Sequence, residues 1–156
     1  MVWMAMAYRC RVPLDLDPAI IGEEFDCTEY GPLTGEELID FAHALGETHP
    51  DYTRPGPDLI AHPMYPARFR GKRFYPDSLP RSIDVRTGFD AGKDIALAAP
   101  IRPGDAITAR CTLHEVYEKT GRTGTMVFVV IRFTLTNQRG ELVATVDNRF
   151  MHRGAP

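Results

Sequence analysis

Apolar residues recur at helical spacing between Thr34 and Gly46. Thr34 and Glu37 fit a capping box, in which each side chain accepts a hydrogen bond from the other residue's backbone amide. Gly46 follows the last turn, where a glycine readily takes the left-handed conformation that ends a helix. The pattern therefore predicts a helix whose core-facing stripe consists of Leu38, Phe41, Ala42 and Leu45.

A period of two replaces the helical spacing from Ser82 onward. The alternation predicts strands at 82–89, 106–117, 125–136 and 141–152, a short apolar segment at 96–100, and an earlier strand within 21–30 with Phe25 and Cys27 on one face. Turn residues at 103–105, 119–124 and 137–140 separate the later strands. Three long strands joined by short turns favour an antiparallel meander. We therefore predict an α+β fold in a single domain, 1–156.

The segment between the helix and the strands carries loop signals and then turns apolar. Residues 47–57 contain Pro50, Pro55, Gly56 and Pro57, and residues 59–69 are apolar again. Pro63 is tolerated in a first helical turn, so a short helix is expected within 59–69. The block from Thr34 to Phe69 is thus the predicted site region, and the strands after it are its scaffold.

Charge and cysteine usage narrow the function classes. A net charge of −3 without a basic run argues against nucleic-acid binding. Three separated cysteines without a CxxC pair indicate neither a zinc site nor a disulfide framework, and the five histidines lack metal-binding spacing. The apolar start, residues 1–8, is too short for a signal sequence, and no later run could span a bilayer. We expect a cytoplasmic protein without a metal.

Three segments carry a resemblance to a known family. They are PLTGEELIDFAHALGETHPDY at 32–52, LIAHPMYPARF at 59–69, and 100–145, which begins PIRPGDAITARC and ends NQRGELVAT. Together they resemble the MaoC-like dehydratases, and more closely the FAS1-like or N-terminal-type domain of that family. The resemblance covers about 22–153, which it implies is the core of the domain. The resemblance implies a hot-dog fold, in which a bent antiparallel sheet wraps a long central helix and pairs with a second hot-dog domain.

The same resemblance implies an activity. Active members are (R)-specific enoyl-CoA hydratases or 3-hydroxyacyl-thioester dehydratases, which use an acid and a histidine in a G-D-x-N-P-x-H motif to move protons. A backbone amide in an x-H-G-M motif stabilises the enolate oxygen. Here Glu47 stands at the acid, Tyr52 at the histidine and Pro63 at the amide donor. A phenol of pKa about 10 is a poor base near neutral pH, and proline has no N–H.

This altered pattern predicts a non-catalytic subunit of the mycobacterial HadA type. It would bind the acyl group of a CoA or acyl-carrier-protein thioester beside a catalytic hot-dog subunit, without a further cofactor. An active homodimeric hydratase or thioesterase using Glu47 with His49 or His62, and a non-enzymatic acyl-CoA-binding protein, stay open. The catalytic candidates are Glu47 and His49. The substrate-binding candidates are Tyr52, His62, Pro63, Met64, Tyr65, Phe69 and Arg73.

Overall fold

The computed structural model describes residues 15–122 and 124–153. The predictions about the apolar start and Cys10 concern residues outside these ranges. The described helices are α1 (Gly35–Ala44) and α2 (Pro50–Thr53), and short 3-10 turns lie at Pro18–Ile20, Tyr65–Arg68 and Val85–Thr87. The strands are β1 (Glu24–Tyr30), β2 (Phe89–Leu97), β3 (Ile107–Gly121), β4 (Gly124–Thr136) and β5 (Leu142–Arg153).

The five strands form one antiparallel sheet in the order β1-β3-β4-β5-β2. The three long strands β3, β4 and β5 are neighbours in both sequence and space, so the predicted meander is confirmed. The shorter strands β1 and β2 form its two edges. The α+β class is confirmed as well, since α1 buries one side against the core beside this sheet.

Helix α1 begins and ends as its sequence predicts. Thr34 Oγ1 accepts a hydrogen bond from the Glu37 amide at 3.2 Å, and Glu37 Oε2 accepts one from the Thr34 amide at 2.8 Å. Gly46 has φ +77°, the left-handed conformation. Leu38 and Ala42 are fully buried, but Leu45 is 52% exposed. The prediction that Leu45 faces the core is wrong, because α1 ends at Ala44 and Leu45 is already the capping residue.

The core lies between α1, the chain at 59–69 and the inner face of the sheet. Along β3 the alternate residues Ile107, Ala109, Cys111 and Leu113 are buried, as the period of two predicts. In β4, consecutive residues 129–131 are all buried, so both faces of this strand are covered there. α1 spans ten residues, about 15 Å at the rise of an α-helix, and is shorter than the helix that the resemblance implied.

The two edge strands depart from the predictions. In β1 the register shifts between Glu24 and Asp26, so Phe25 is buried while Cys27 is exposed, and the predicted shared face is wrong. The strand predicted at 82–89 is also wrong, since Val85–Thr87 is a 3-10 turn and β2 begins at Phe89. β2 is largely exposed, so its polar residues need not alternate with apolar ones.

The β3–β4 loop and the helical segment within 59–69 are both shorter than predicted. β3 and β4 pair as far as Gly121 and Gly124, so most of the predicted loop at 119–124 belongs to the strands. Within 59–69 the helical geometry is confined to the 3-10 turn Tyr65–Arg68, and Pro66 rather than Pro63 occupies its start.

Candidate functional site

A cavity of about 280 Å³ opens between α2, the chain at 60–66 and the segment that follows β2. Its polar lining comes from two rings, Tyr52 and His62, whose centroids lie 5.3 Å apart. The rest of the wall is apolar and includes Ile60, Ala61, Pro66, Leu97, Ala99 and Ile101. We call this space the Tyr52 cavity.

Backbone hydrogen bonds hold the walls of the Tyr52 cavity together. The Ile60 amide donates to the carbonyl of Asp51 at 3.0 Å, which fixes the segment against α2. The Ala61 amide donates to the carbonyl of Ile101 at 2.8 Å, which fixes it against the chain after β2. The cavity is therefore framed by backbone contacts between three separate segments of the chain.

Both ring nitrogens of His62 face a partner. Nδ1 accepts a hydrogen bond from the Met64 amide at 3.1 Å, so the imidazole proton sits on Nε2. Nε2 in turn lies 3.5 Å from Oε2 of Glu47. In this arrangement the ring has no free lone pair with which to accept a proton from water or substrate.

Glu47 is held as a carboxylate by its own loop. Its Oε1 accepts hydrogen bonds from the amides of His49 at 2.8 Å and Thr48 at 2.7 Å. These two bonds, from His49 first and then Thr48, lower the pKa of Glu47 below its usual value. The carboxylate therefore anchors the loop and faces His62.

The side chain of His49 caps α2 and does not pair with the carboxylate of Glu47. Its Nδ1 accepts a hydrogen bond from the Asp51 amide at 3.3 Å, which caps the first turn of α2. The structure thus brings together Glu47 and His62 and directs the imidazole of His49 to the helix cap.

The amides around the second motif are absent or occupied. Pro63 has no N–H to offer. The Met64 amide bonds to Nδ1 of His62, and the Tyr65 amide bonds to the carbonyl of His62 at 2.8 Å. Three successive positions therefore present no free donor to an oxyanion.

The remaining predicted binding residues lie away from the Tyr52 cavity. Met64 is 48% exposed, whereas Tyr65 and Phe69 are buried in the core. Arg73 forms an ion pair with Asp77 at 2.7 Å on the surface loop. Of the seven predicted binding residues, Tyr52, His62 and Pro63 line the cavity.

One wall of this cavity was not predicted from the sequence. Residues 97–101 line it, although the sequence had marked 96–100 only as a short apolar segment. The apolar run at the end of β2 indicated that this segment is partly buried. It did not indicate which residues face it, because that depends on how β2 pairs with β5.

Two kinds of site find no support within the described ranges. No group of three or more His, Cys, Asp or Glu side chains in 15–122 and 124–153 is placed to hold a metal ion. Nor does any helix in this part of the chain have the length and apolar character needed to cross a lipid bilayer.

Known proteins resemble this chain along most of its length. A family described as "FAS1-like, dehydratase domain region" matches residues 19–146. A UPF0336 protein of Streptomyces griseus is 25% identical over 149 residues, covering 90% of this chain and 97% of that protein.

Two solved structures share its architecture. A MaoC-like dehydratase from Rhodospirillum rubrum matches with a TM-score of 0.63 at 18% identity, covering 94% of this chain and 99% of that one. A chain of the C-terminally truncated HadBC (3R-hydroxyacyl-ACP dehydratase) complex of Mycobacterium tuberculosis matches with a TM-score of 0.63 at 24% identity, covering 88% and 99%.

These likenesses confirm the hot-dog fold that the three sequence segments predicted, whereas the HadA subtype stays a prediction. The family match covers residues 19–146, which is most of the chain. This chain belongs to the FAS1-like dehydratase domain family.

Proposed function

We propose that this chain is the acyl-binding, non-catalytic subunit of an (R)-specific enoyl-thioester hydratase or 3-hydroxyacyl-thioester dehydratase. The observation that carries the proposal is the engagement of both nitrogens of His62, by the Met64 amide and by Glu47. A catalytic acid, base and oxyanion amide would come from a second hot-dog subunit.

The missing groups argue against turnover by this chain alone. A positioned general acid or base contributes about 10²- to 10⁴-fold to a rate. Loss of one oxyanion donor costs about 10²- to 10³-fold. With Tyr52 at the place of the family's histidine and Pro63 at the place of its amide donor, both contributions are lost together.

The cavity itself supports a role in binding. Apolar walls with a few convergent polar groups are typical of sites for small organic ligands. The Tyr52 cavity combines aliphatic and proline side chains with the polar edges of Tyr52 and His62. This lining suits the acyl part of a thioester, which has an apolar chain and a polar carbonyl end.

The edge strand β2 supports a second subunit. It is the last strand of the sheet order, so one side of its backbone lacks a neighbour in the described sheet. Its end residues Phe89 and Leu97 are each 55% exposed. Such an edge is ready to pair with another strand. Because Leu97 also lines the Tyr52 cavity, a subunit paired at β2 would stand beside the acyl group.

The HadBC complex of Mycobacterium tuberculosis gives a precedent for dehydratase assemblies of this fold. The test is hydration of crotonyl-CoA by this chain alone and by this chain co-expressed with a hot-dog subunit carrying an intact G-D-x-N-P-x-H motif from the same genome. We expect activity only from the co-purified pair, and higher than that of the partner alone. Full activity of this chain alone, lost on Glu47→Gln, would overturn the proposal.

One observation favours a second candidate function. Glu47 and His62 lie 3.5 Å apart, which is close enough for a proton-handling pair in an active homodimer. In that case, Glu47→Gln and His62→Phe would each reduce the activity of the isolated chain strongly. The non-catalytic proposal predicts that neither change affects a background that is already near zero.

A further inference from the structure

A second cavity, of about 80 Å³, lies between the chain at 67–74 and strands β2, β4 and β5. Its walls include the side chains of Phe69, Phe133 and Phe150. Its polar lining includes Lys93 of β2, Asn148 of β5 and the charged residues Arg70, Arg73 and Asp90. We call this space the Lys93 cavity.

Lys93 is partly buried and held in place on two sides. Its Nζ lies 3.0 Å from Oδ2 of Asp90 and 2.9 Å from Oδ1 of Asn148. The Lys93 side chain is 25% exposed, and Asn148 is 8% exposed. An ammonium group carries three N–H donors, so one donor remains beyond these two partners.

A bulge in β2 aims Lys93 at this cavity. The pairing of β2 with β5 shifts between Asp90 and Lys93, and Gly92 within the bulge has φ +104°. Bulges of this kind re-aim side chains and are frequent beside active sites. The pairing of β2 with β5 is thus irregular at the point where the side chain of Lys93 enters the Lys93 cavity.

The charges around the cavity leave a positive excess. Lys93 and Arg70 supply two positive charges at its lining, and Arg70 acts electrostatically on Asp90. Asp90 supplies one negative charge. Arg73 also reaches the lining, but its guanidinium is paired with Asp77. One further carboxylate would balance the group.

The two cavities lie along the same face of β2. Residues two apart in a strand share a face, so Lys93, Ile95 and Leu97 point to the same side. Leu97 lines the Tyr52 cavity and Lys93 lines the Lys93 cavity. The four-residue step along the strand from Lys93 to Leu97 corresponds to about 13 Å. Between the cavities stand half-buried Ile95 and the turn at Pro66 and Ala67, of which Pro66 lines the first and Ala67 the second.

Resting on the acyl-binding function proposed above, we infer that Lys93 determines specificity by binding a carboxylate at the far end of the acyl chain. The thioester end occupies the Tyr52 cavity, the chain passes over Ile95, and the terminal carboxylate meets Nζ of Lys93. At about 1.3 Å per methylene, the span corresponds to roughly ten carbons. The substrate class is therefore the mono-thioester of a medium-chain dicarboxylic acid.

The test compares the binding of two ligands of equal chain length to the full chain by isothermal titration calorimetry. One is the mono-CoA thioester of decanedioic acid, and the other is decanoyl-CoA. We expect the dicarboxylic ligand to bind about 10- to 100-fold more tightly, the usual range for a hydrogen bond between charged groups. Lys93→Met should abolish this preference, while Lys93→Arg should retain it.

Lys119→Met is the matched control, because it removes one positive charge at the exposed β3–β4 hairpin. It should leave the preference intact. Circular dichroism of Lys93→Met checks that the variant is folded. Binding of decanoyl-CoA with equal or higher affinity, or a preference that survives in folded Lys93→Met, would overturn this inference alone. If neither thioester binds the wild-type chain, the acyl-binding function fails as well.

Discussion

Oε2 of Glu47 lies 3.5 Å from Nε2 of His62, at the edge of the Tyr52 cavity. Both side chains also accept hydrogen bonds from the backbone: Glu47 accepts from two amides, and His62 accepts from the amide of Met64. The pair therefore joins two loops that are separate in sequence, 47–49 and 62–64. We interpret it first as a positioning contact that shapes the cavity wall.

The anchoring of Glu47 predicts a pH dependence of stability. Its folded-state pKa is lowered from the ordinary value of 4.5 by the hydrogen bonds of His49 and Thr48. A lowered carboxyl pKa contributes stability that is fully present above the unfolded value and is lost as the pH falls through the folded one. We expect Glu47→Gln to lower the melting temperature at pH 7, and the difference from wild type to shrink below about pH 4.5.

Asp58→Asn is the control for this experiment, because Asp58 is an exposed carboxylate in the neighbouring loop. The melting temperature of Asp58→Asn should equal that of wild type at pH 7 and at pH 3. A constant deficit of Glu47→Gln from pH 7 to pH 3 would contradict the assigned role of the carboxylate.

His62 should matter for the shape of the cavity more than for proton transfer. In His62→Ala, the Met64 amide loses its acceptor, which should cost about 1 kcal/mol of unfolding free energy. His62→Asn retains a side-chain oxygen able to accept an amide two residues on, so it should recover part of that stability. Urea denaturation measures both, and equal destabilisation by the two variants would contradict the assigned hydrogen bond.

The sequence predicted those elements whose local and tertiary signals agree. Thr34, Glu37 and Gly46 define α1 by short-range hydrogen bonds and backbone preference, which any isolated segment already encodes. β3 was predictable because one of its faces meets the core along most of its length, which imposes the period of two.

The remainder depends on contacts that are distant in sequence. The bulges of β1 and β2 exchange a side chain between faces, and no local pattern marks Cys27 as exposed or Lys93 as turned inward. The meeting of Glu47 with His62 likewise requires the loop after α1 to lie beside the segment 60–63. Residues of the site could be proposed by resemblance, but their partners could not.

Helix α1 offers a direct test of its core-facing stripe. Leu38 is fully buried, so Leu38→Ala should cost about 2–5 kcal/mol of unfolding free energy through lost burial and the cavity it leaves. Leu45 is 52% exposed, so Leu45→Ala should stay within about 0.5 kcal/mol of wild type. Chemical denaturation of the pair checks this, and a comparable loss from Leu45→Ala would place that side chain in an interface.

The two described cysteines should differ in reactivity. Cys27 is exposed, whereas burial makes Cys111 inaccessible and raises the pKa of its thiol to about 12. The thiolate is the reactive form, so Cys111 should resist alkylation in the native protein. Iodoacetamide labelling at pH 8, read by peptide mass spectrometry, should modify Cys27 first and Cys111 only after unfolding. Equal labelling rates under native conditions would contradict the burial of Cys111.

Restoring the groups absent from the site gives the sharpest test of why the chain would be inactive alone. Tyr52→His places an imidazole at the cavity, and Pro63→Gly supplies an amide at the position that has none. Each group contributes about 10²-fold or more where it acts. We therefore expect the double variant to hydrate crotonyl-CoA at least about 10²-fold faster than the wild-type chain, and faster than either single variant. Pro57→Gly, in the same loop region and away from the cavity lining, controls for backbone flexibility alone. A folded double variant that stays at background, measured with enough protein to detect a 10-fold gain, would show that the deficiency lies elsewhere in the site.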